Sequence, residues 1–277
     1  MGNFSYHPCQ PGYYQVGSKY QELNYSLDCK LGLYICQMFE ITEPTERNIR
    51  IIPDGCNDIL ISYDGVKLNS WLSLSIPKAM TFNFNKANWL FGVRFYPGFD
   101  RSLFGKKVEN PIQKAVETRT LLQDFHTIEE DLINSQSFVR RHEIIEDYLR
   151  DKLASNDCVD NIMTYCVHQL IETNGTIPID VLAEKAGYGT RYLRQLFTKS
   201  TGHSPKELAA MIRMQKTLHH ILNNTNDKLS DIAIRYGFSD LSHMNREFKK
   251  YLGITSSIIK NTDDWNRKLK AEINRSF

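Results

Sequence analysis

Six cysteines, one His-Glu helix motif and an arginine of a candidate strand, Arg94, are the side chains whose types and spacing invite a chemical reading. The cysteines are Cys9, Cys29, Cys36, Cys56, Cys158 and Cys166, and no two form a Cys-x-x-Cys. A zinc ribbon or thioredoxin-type site therefore has no support, and reduced, mostly buried thiols are expected. His142-Glu143-Ile144-Ile145-Glu146 starts like a zinc-binding His-Glu-x-x-His helix but places Glu146 where the second ligand belongs. It is expected to be solvated helix surface. His219 and His220 are neighbours, and helix geometry turns their rings about 100° apart, too far to clamp one metal. No metal or cofactor is expected, and no phosphate-cradling glycine loop or Gly-x-Ser-x-Gly elbow occurs. Arg94 lies between Val93 and Phe95, so on a strand it points away from their face. It is expected to pair with Asp54 or Asp58 across strands, with an anion site as the alternative. Cys56 would be a redox sensor only beside a basic cluster, and none is near it in sequence. Asp54, Cys56, Asp58 and Arg94 are thus the candidate ligand residues. Tyr13, Tyr14, Trp71, Phe82, Trp89 and Phe95 either line a pocket or form the core around them.

The elements that would position these groups divide the chain. The 277 residues are 41% hydrophobic and 24% charged. That suits a globular protein of two domains and excludes a fibre, a disulfide scaffold or a disordered tail. No run approaches the roughly 20 apolar residues of a membrane helix. The Met1-Gly2 start has Tyr6 where myristoylation needs Ser or Thr, and no secretory signal is visible, so the cytoplasm is expected. Residues 1–175 hold 17 Lys+Arg against 22 Asp+Glu, and residues 176–277 hold 17 against 10, giving −5 and +7. The C-terminal part is expected to meet a polyanion.

Residues 1–100 read as β-rich. The apolar runs at 49–52 and 59–61 flank a Pro53-Asp54-Gly55 turn, residues 71–76 and 82–84 alternate, and Trp89–Phe95 stops at Pro97-Gly98. Residues 101–155 carry helical stripes (Leu121, Leu122, Phe125, Ile128, Leu132, then Ile144, Ile145, Tyr148, Leu149, Leu153) and are expected to be a helical linker, with dimerisation as one use. Within 156–277 a further stripe runs from Val159 through Ile162, Met163, Cys166, Val167 and Leu170 to Ile171. Asp157 or Asp160 caps its start and Asn174-Gly175 ends it.

A repeat follows. Leu182-Ala183-Glu184-Lys185-Ala186-Gly187-Tyr188 is echoed 50 residues later by Ile232-Ala233-Ile234-Arg235-Tyr236-Gly237-Phe238. Each copy leads into a second helix that ends in Gly, at Gly202 and Gly253. The small Ala183 or Ala233 lets two helices cross closely, and Gly187 or Gly237 supplies the positive φ of a tight turn. Tyr188 and Phe238 are expected to plug the elbow, with Phe197 and Phe248 anchoring each second helix. An amphipathic helix over about 205–222 joins the two units, at about 176–202 and 228–253.

These residues, with the stretches 191–197, 201–207, 230–240 and 242–255, resemble the DNA-binding domain of AraC/XylS-family transcription regulators. The resemblance covers about 157–260. It departs after Gly253, where the family's proline and aromatic are replaced by Thr255-Ser256-Ser257-Ile258-Ile259, which bears on how the last helix packs. Residues 53–58 and 92–98 resemble a poorly characterised N-terminal domain of some such regulators. The implied fold is α+β in two domains: an N-terminal β-rich cupin-like barrel with a helical linker, and an all-α C-terminal double helix-turn-helix.

The resemblance implies double-stranded DNA as partner. Two recognition helices can enter successive major grooves about 34 Å apart. Thr190, Arg191, Arg194 and Gln195 in the first unit, and Leu241, Ser242, Asn245 and Arg246 in the second, are the expected base contacts. Arginine can read guanine and glutamine adenine through paired hydrogen bonds, while Leu241 suits a thymine methyl. Lys199, Ser239, His243, Lys249 and Lys250 are the expected phosphate contacts. Asp240 is expected to cap its helix first. The resemblance further implies a regulator, mostly an activator touching RNA polymerase, controlled by its N-terminal domain through a small molecule. The alternative is a ligand-independent regulator set by a protein partner or expression level. An enzyme fused to a DNA-binding domain would need an activated cysteine, and none is evident.

Overall fold

The computed structural model describes residues 6–15, 17–26, 29–44, 48–83, 87–98, 115–154, 161–224 and 226–261. The expectations for Phe84, Asp157, Cys158, Val159 and Asp160 lie outside the described residues. The strands are β1 (Gly17–Asn24), β2 (Ile35–Pro44), β3 (Asn48–Ile51), β4 (Asn57–Tyr63), β5 (Leu68–Ser73), β6 (Met80–Asn83), β7 (Trp89–Phe95) and β8 (Ala115–Glu117). Six form an antiparallel sheet in the order β1-β2-β7-β4-β5-β8, and β3 pairs with β6 as a separate ribbon. The β-rich region is thus two open sheets among the described residues, and the strands on either side of Pro53-Asp54-Gly55 go to different sheets. β8 adds a strand pairing where the sequence suggested only helices.

Period-two alternation sorts the large sheet into two faces. Phe39, Ile41, Leu60 and Leu90 meet Ile49, Ile51 and Tyr13 under the ribbon. Ile59, Ile61, Phe91, Val93 and Phe95 face the helices. The stripe from Leu121 to Leu132 is broken into α1 (Thr118–Leu121), a 3-10 turn (Phe125–Ile128) and α2 (Glu129–Asn134). Leu122 is extended, at φ −116° and ψ 90°. The break bends the run around its neighbours while Leu122, Phe125 and Leu132 stay buried.

Helix α3 (Phe138–Ala154) lays Ile144, Ile145, Leu149 and Leu153 against that core. Arg141 pairs with Glu40 of β2, both buried, and its guanidinium lies 4.6 Å from the centre of the Trp89 ring. His142 and Glu146 are not solvated surface. They are half-buried, and Tyr25 Oη lies 2.8 Å from His142 Nε2 and donates to Glu146 at 3.1 Å. The motif therefore ties the chain just after β1 to α3.

The remaining helices are α4 (Asn161–Glu172), α5 (Ile179–Lys185), α6 (Thr190–Thr201), α7 (Pro205–Asn223), α8 (Leu229–Arg235), α9 (Leu241–Leu252) and α10 (Ser256–Lys260). Asn174 and Gly175, at φ 52° and 69°, end α4 as expected. Ser204 and Glu207 form a reciprocal capping box at the start of α7, with Pro205 in its first turn. One core runs from the sheet through α3 and α4 to the first helix pair and the start of α7. A second core joins the rest of α7 to α8, α9 and α10.

Helix α7 also holds the β-rich region. Gln215, buried, accepts from Cys9 N at 2.9 Å and donates to Pro53 O at 2.8 Å. Ala79 N donates to Tyr251 O at 2.8 Å, and Arg50 donates to Leu252 O at 3.1 Å. His203 Nε2 lies 2.9 Å from Ser75 Oγ. Among the described residues no helix is long and apolar enough to cross a membrane.

Candidate nucleic-acid interface

Each half of the repeat folds into the same tight unit. In the first, Gly187 has φ 77° and donates to Glu184 O, while Tyr188 N donates to Ala183 O. In the second, Gly237 has φ 75° and donates to Ile234 O, while Phe238 N donates to Ala233 O. Those left-handed residues turn the chain sharply between helices that cross over the buried alanines. Both second helices end on a left-handed glycine, Gly202 and Gly253, whose N–H closes on Thr198 O and Lys249 O.

The second helices are strongly two-faced. Leu193, Phe197 and Thr201 bury the inner side of α6, and Met244, Phe248, Tyr251 and Leu252 that of α9. The outer side of α6 exposes Thr190, Arg191, Arg194, Gln195 and Lys199. That of α9 exposes Ser242, Arg246, Lys249 and Lys250, with Leu241 half-buried. Donor-rich side chains on one face of each helix suit hydrogen bonding to base edges and phosphates.

Several of the predicted residues carry intramolecular work. Asp240 is the N-cap of α9, its carboxylate accepting from His243 N at 2.7 Å. That bond holds its carboxyl below the usual aspartate range. His243 is half-buried, with Nδ1 3.3 Å from Ser239 N and Oγ. Asn245 is half-buried, and its Oδ1 accepts from Ser256 N at 3.0 Å and Ser256 Oγ at 2.7 Å. Its carbonyl anchors α10, so only the amide nitrogen is left for an outside partner. This bond and the burial of Ile259 seat the last helix without the missing proline. Lys250 Nζ donates to Tyr251 Oη at 3.2 Å and stays on the outer face.

The two elbows differ, against the sequence expectation. Phe238 is buried, with the Arg213 guanidinium 4.8 Å from its ring centre and His243 edge-on at 5.4 Å. Tyr188 is 42% exposed and stacks on Tyr192, with ring centres 4.8 Å apart. Thr176 and α7 cover the second elbow, whereas a Cβ on Gly187 would meet nothing within 4 Å. Two aligned motifs alone do not reveal which elbow a third element covers.

The residues predicted around a ligand site converge in the sheet. Arg94 is buried between the sheet and the ribbon. It donates to both Asp58 oxygens, at 3.0 and 2.9 Å, and to Gln37 Oε1 at 3.2 Å, with Asp54 Oδ2 at 3.7 Å. Its guanidinium also faces Tyr13 and Phe39, at 5.7 and 5.3 Å. Asp54 accepts from Gln10 Nε2 and Cys56 N, and burial pushes its carboxyl up to about 6. Burial and the neighbouring Cys36 push the Cys56 thiol well up. The expected cross-strand ion pair is in place. Of the aromatics, Tyr13, Trp89 and Phe95 are core, Trp71 and Phe82 half-buried, and Tyr14 52% exposed.

Comparison with known proteins agrees with the duplicated units. A family model described as a helix-turn-helix domain matches residues 182–261. The multiple antibiotic resistance protein MarA of Escherichia coli is 31% identical over 99 residues, 34% of this chain and 76% of MarA. The chain belongs to the AraC/XylS family of transcription regulators. The Msm operon regulatory protein of Streptococcus mutans is 26% identical over 110 residues, 40% of this chain and 38% of that protein. Among solved structures, ToxT from Vibrio cholerae aligns over 87% of this chain and 98% of its own, with 12% identity and a TM-score of 0.41. The family assignment makes the protein a helix-turn-helix DNA-binding regulator, with α6 and α9 as its two outward-facing second helices.

Proposed function

We propose that this regulator reads two successive major grooves on one face of the duplex, α6 in the first and α9 in the second. The observation that carries this reading is the duplicated geometry: the same left-handed glycines, buried anchors and donor-rich outer face occur twice in one chain. Thr190, Arg191, Arg194 and Gln195 are the base readers of the first unit, and Arg246, Ser242 and Leu241 those of the second, with Asn245 contributing its amide nitrogen. Lys199, Lys249, Lys250, Ser239 and His243 hold phosphates. The β-rich region acts as the regulatory part, because its bonds to α7 and α9 couple its packing to the DNA-binding helices. Activation through RNA polymerase and a small-molecule effector follow from the family analogy, and a homodimer from the helical stripes of residues 101–155.

The experiment is a randomised-library DNA selection with the wild type, Arg194→Ala and Arg246→Ala. Two short blocks about ten base pairs apart are expected. Each substitution should erase information in one block, at about 1–3 kcal/mol per lost contact. A single block, or loss in both blocks from one substitution, would overturn dual-groove reading.

A further inference from the structure

A cleft of about 710 Å³ lies between the first helix-turn-helix unit and α7. Arg194, Lys206 and Arg213 line it, with Asp180 as its acidic residue, so its walls carry a positive excess. Lys206, Ala210 and Arg213 follow a three- and four-residue spacing, which puts them on one face of α7. Leu208 and Gln215, which meet the β-rich region, lie on another. The cleft therefore opens away from the β-rich region, on the side that carries Thr190 and Arg194.

Its position is fixed by close packing. A Cβ on Gly175 would lie 2.0 Å from Ala209 O, so the turn before α5 sits directly on the backbone of α7. A Cβ on Gly237 would lie 2.8 Å from Thr176 Cγ2, so that same turn also touches the second elbow. The cleft thus sits where the two units meet. Arg213 bridges the junction: its guanidinium lies over Phe238 of the second unit while it lines the cleft of the first. Its Nε is buried without a hydrogen-bond partner. A stacked guanidinium with spare donors beside a lysine suits a phosphate oxygen.

We propose that this cleft is a phosphate-binding site for the DNA backbone between the two major grooves, with Arg213 and Lys206 as its ligands. The proposal rests on the dual-groove reading above and adds the site that spans it. The cleft lies at the junction of the two units, on the side that carries Thr190 and Arg194, so a duplex read by α6 and α9 would pass its mouth. Contacts there are blind to sequence and set the register of one recognition helix against the other. The resting charge pattern has the matching sign, +7 for residues 176–277.

The test measures affinity against salt on the selected operator and on a scrambled duplex, for the wild type, Arg213→Met, Lys206→Ala and Arg194→Ala. Arg213→Met keeps an unbranched stem against Phe238 and removes the donors; Lys206 is exposed, so its truncation leaves the fold intact. Each of the two should lower the slope of log affinity against log salt by about 0.9 and weaken both duplexes equally. Ethylation of the phosphates midway between the blocks should block binding by the wild type but not further weaken Arg213→Met. Unchanged slopes in both variants, with Arg194→Ala still losing its block, would overturn the phosphate site while leaving the dual-groove reading intact. Failure of the wild type to select any sequence would overturn both.

Discussion

Arg94 is a long cation held in the sheet core, with Nε and both terminal nitrogens donating hydrogen bonds. Its bidentate grip on Asp58 spans adjacent strands β7 and β4. A buried pair gains little over well-packed apolar residues, but breaking it leaves an uncompensated charge. Asp58→Ala should therefore destabilise the protein by about 3–5 kcal/mol in denaturant unfolding, and Arg94→Met with Asp58→Leu together by less than Asp58→Ala alone. Glu207 gives a smaller, pH-dependent case. The Ser204 backbone N–H and hydroxyl hold its carboxyl below the usual glutamate range. A depressed folded value means its stabilisation is present above the ordinary glutamate pKa and is lost as the pH falls through the folded one. Glu207→Gln should lower the melting temperature near neutrality and close the gap with the wild type as the solution is acidified. A constant gap would show that the capping box does not depend on charge.

At the scale of elements, the two helix-turn-helix units share a backbone but not an environment. Gly187 and Gly237 have nearly the same φ, so alanine at either incurs the left-handed penalty of about 1–2 kcal/mol. Only at Gly237 would an added Cβ meet a neighbour, Thr176 Cγ2 at 2.8 Å, whereas the space beside Gly187 is open. Gly237→Ala should therefore cost more than Gly187→Ala, and Thr176→Ser should narrow the difference, read by thermal or denaturant melts. Equal costs would mean that the second elbow yields freely. The same contrast explains why Phe238 is buried and Tyr188 is not: the second elbow is roofed by the turn before α5 and by Arg213, whereas Tyr188, 42% exposed, stacks on Tyr192.

At the scale of the whole molecule, α7 does two jobs. It bridges the helix-turn-helix units and carries the β-rich region through Gln215. Gln215→Ala leaves the buried Pro53 carbonyl and the part-buried Cys9 N–H without this partner, a loss of about 1–3 kcal/mol for the buried group and less for the other. The expected result is a melt that splits into two steps, the β-rich region uncoupling from the helical one; a single undiminished transition would show that the apolar contacts suffice. His203 adds a pH-sensitive tie on the same side, to Ser75. Burial lowers its pKa, so its neutral form is favoured in the fold. Its stabilisation is present above the ordinary histidine value of about 6.5 and is lost as the pH falls through the lowered one. The wild type should lose melting temperature below about pH 6.5, and His203→Gln should show a shallower loss.

The duplicated Ala-x-x-x-Gly blocks, the buried Phe197 and Phe248, and the exposed arginines of α6 and α9 were legible in the sequence alone. They are local: glycine conformation, helical period and charge act within a few residues. That Arg94 would pair across strands with Asp54 or Asp58 was legible too, because strand alternation sets which face a side chain takes; the bidentate choice of Asp58 was not. What lay beyond the sequence depends on contacts between distant elements. The stripe at 121–132 breaks because it wraps a neighbour. His142 and Glu146 are claimed by Tyr25, more than a hundred residues away. Asn245 turns its carbonyl to Ser256, and Phe238 finds a cover that Tyr188 lacks. The cleft around Arg213 exists only because the turn at Gly175 rests on α7. Spacing within one helix determines which face a residue occupies, but only the tertiary packing decides what that face meets.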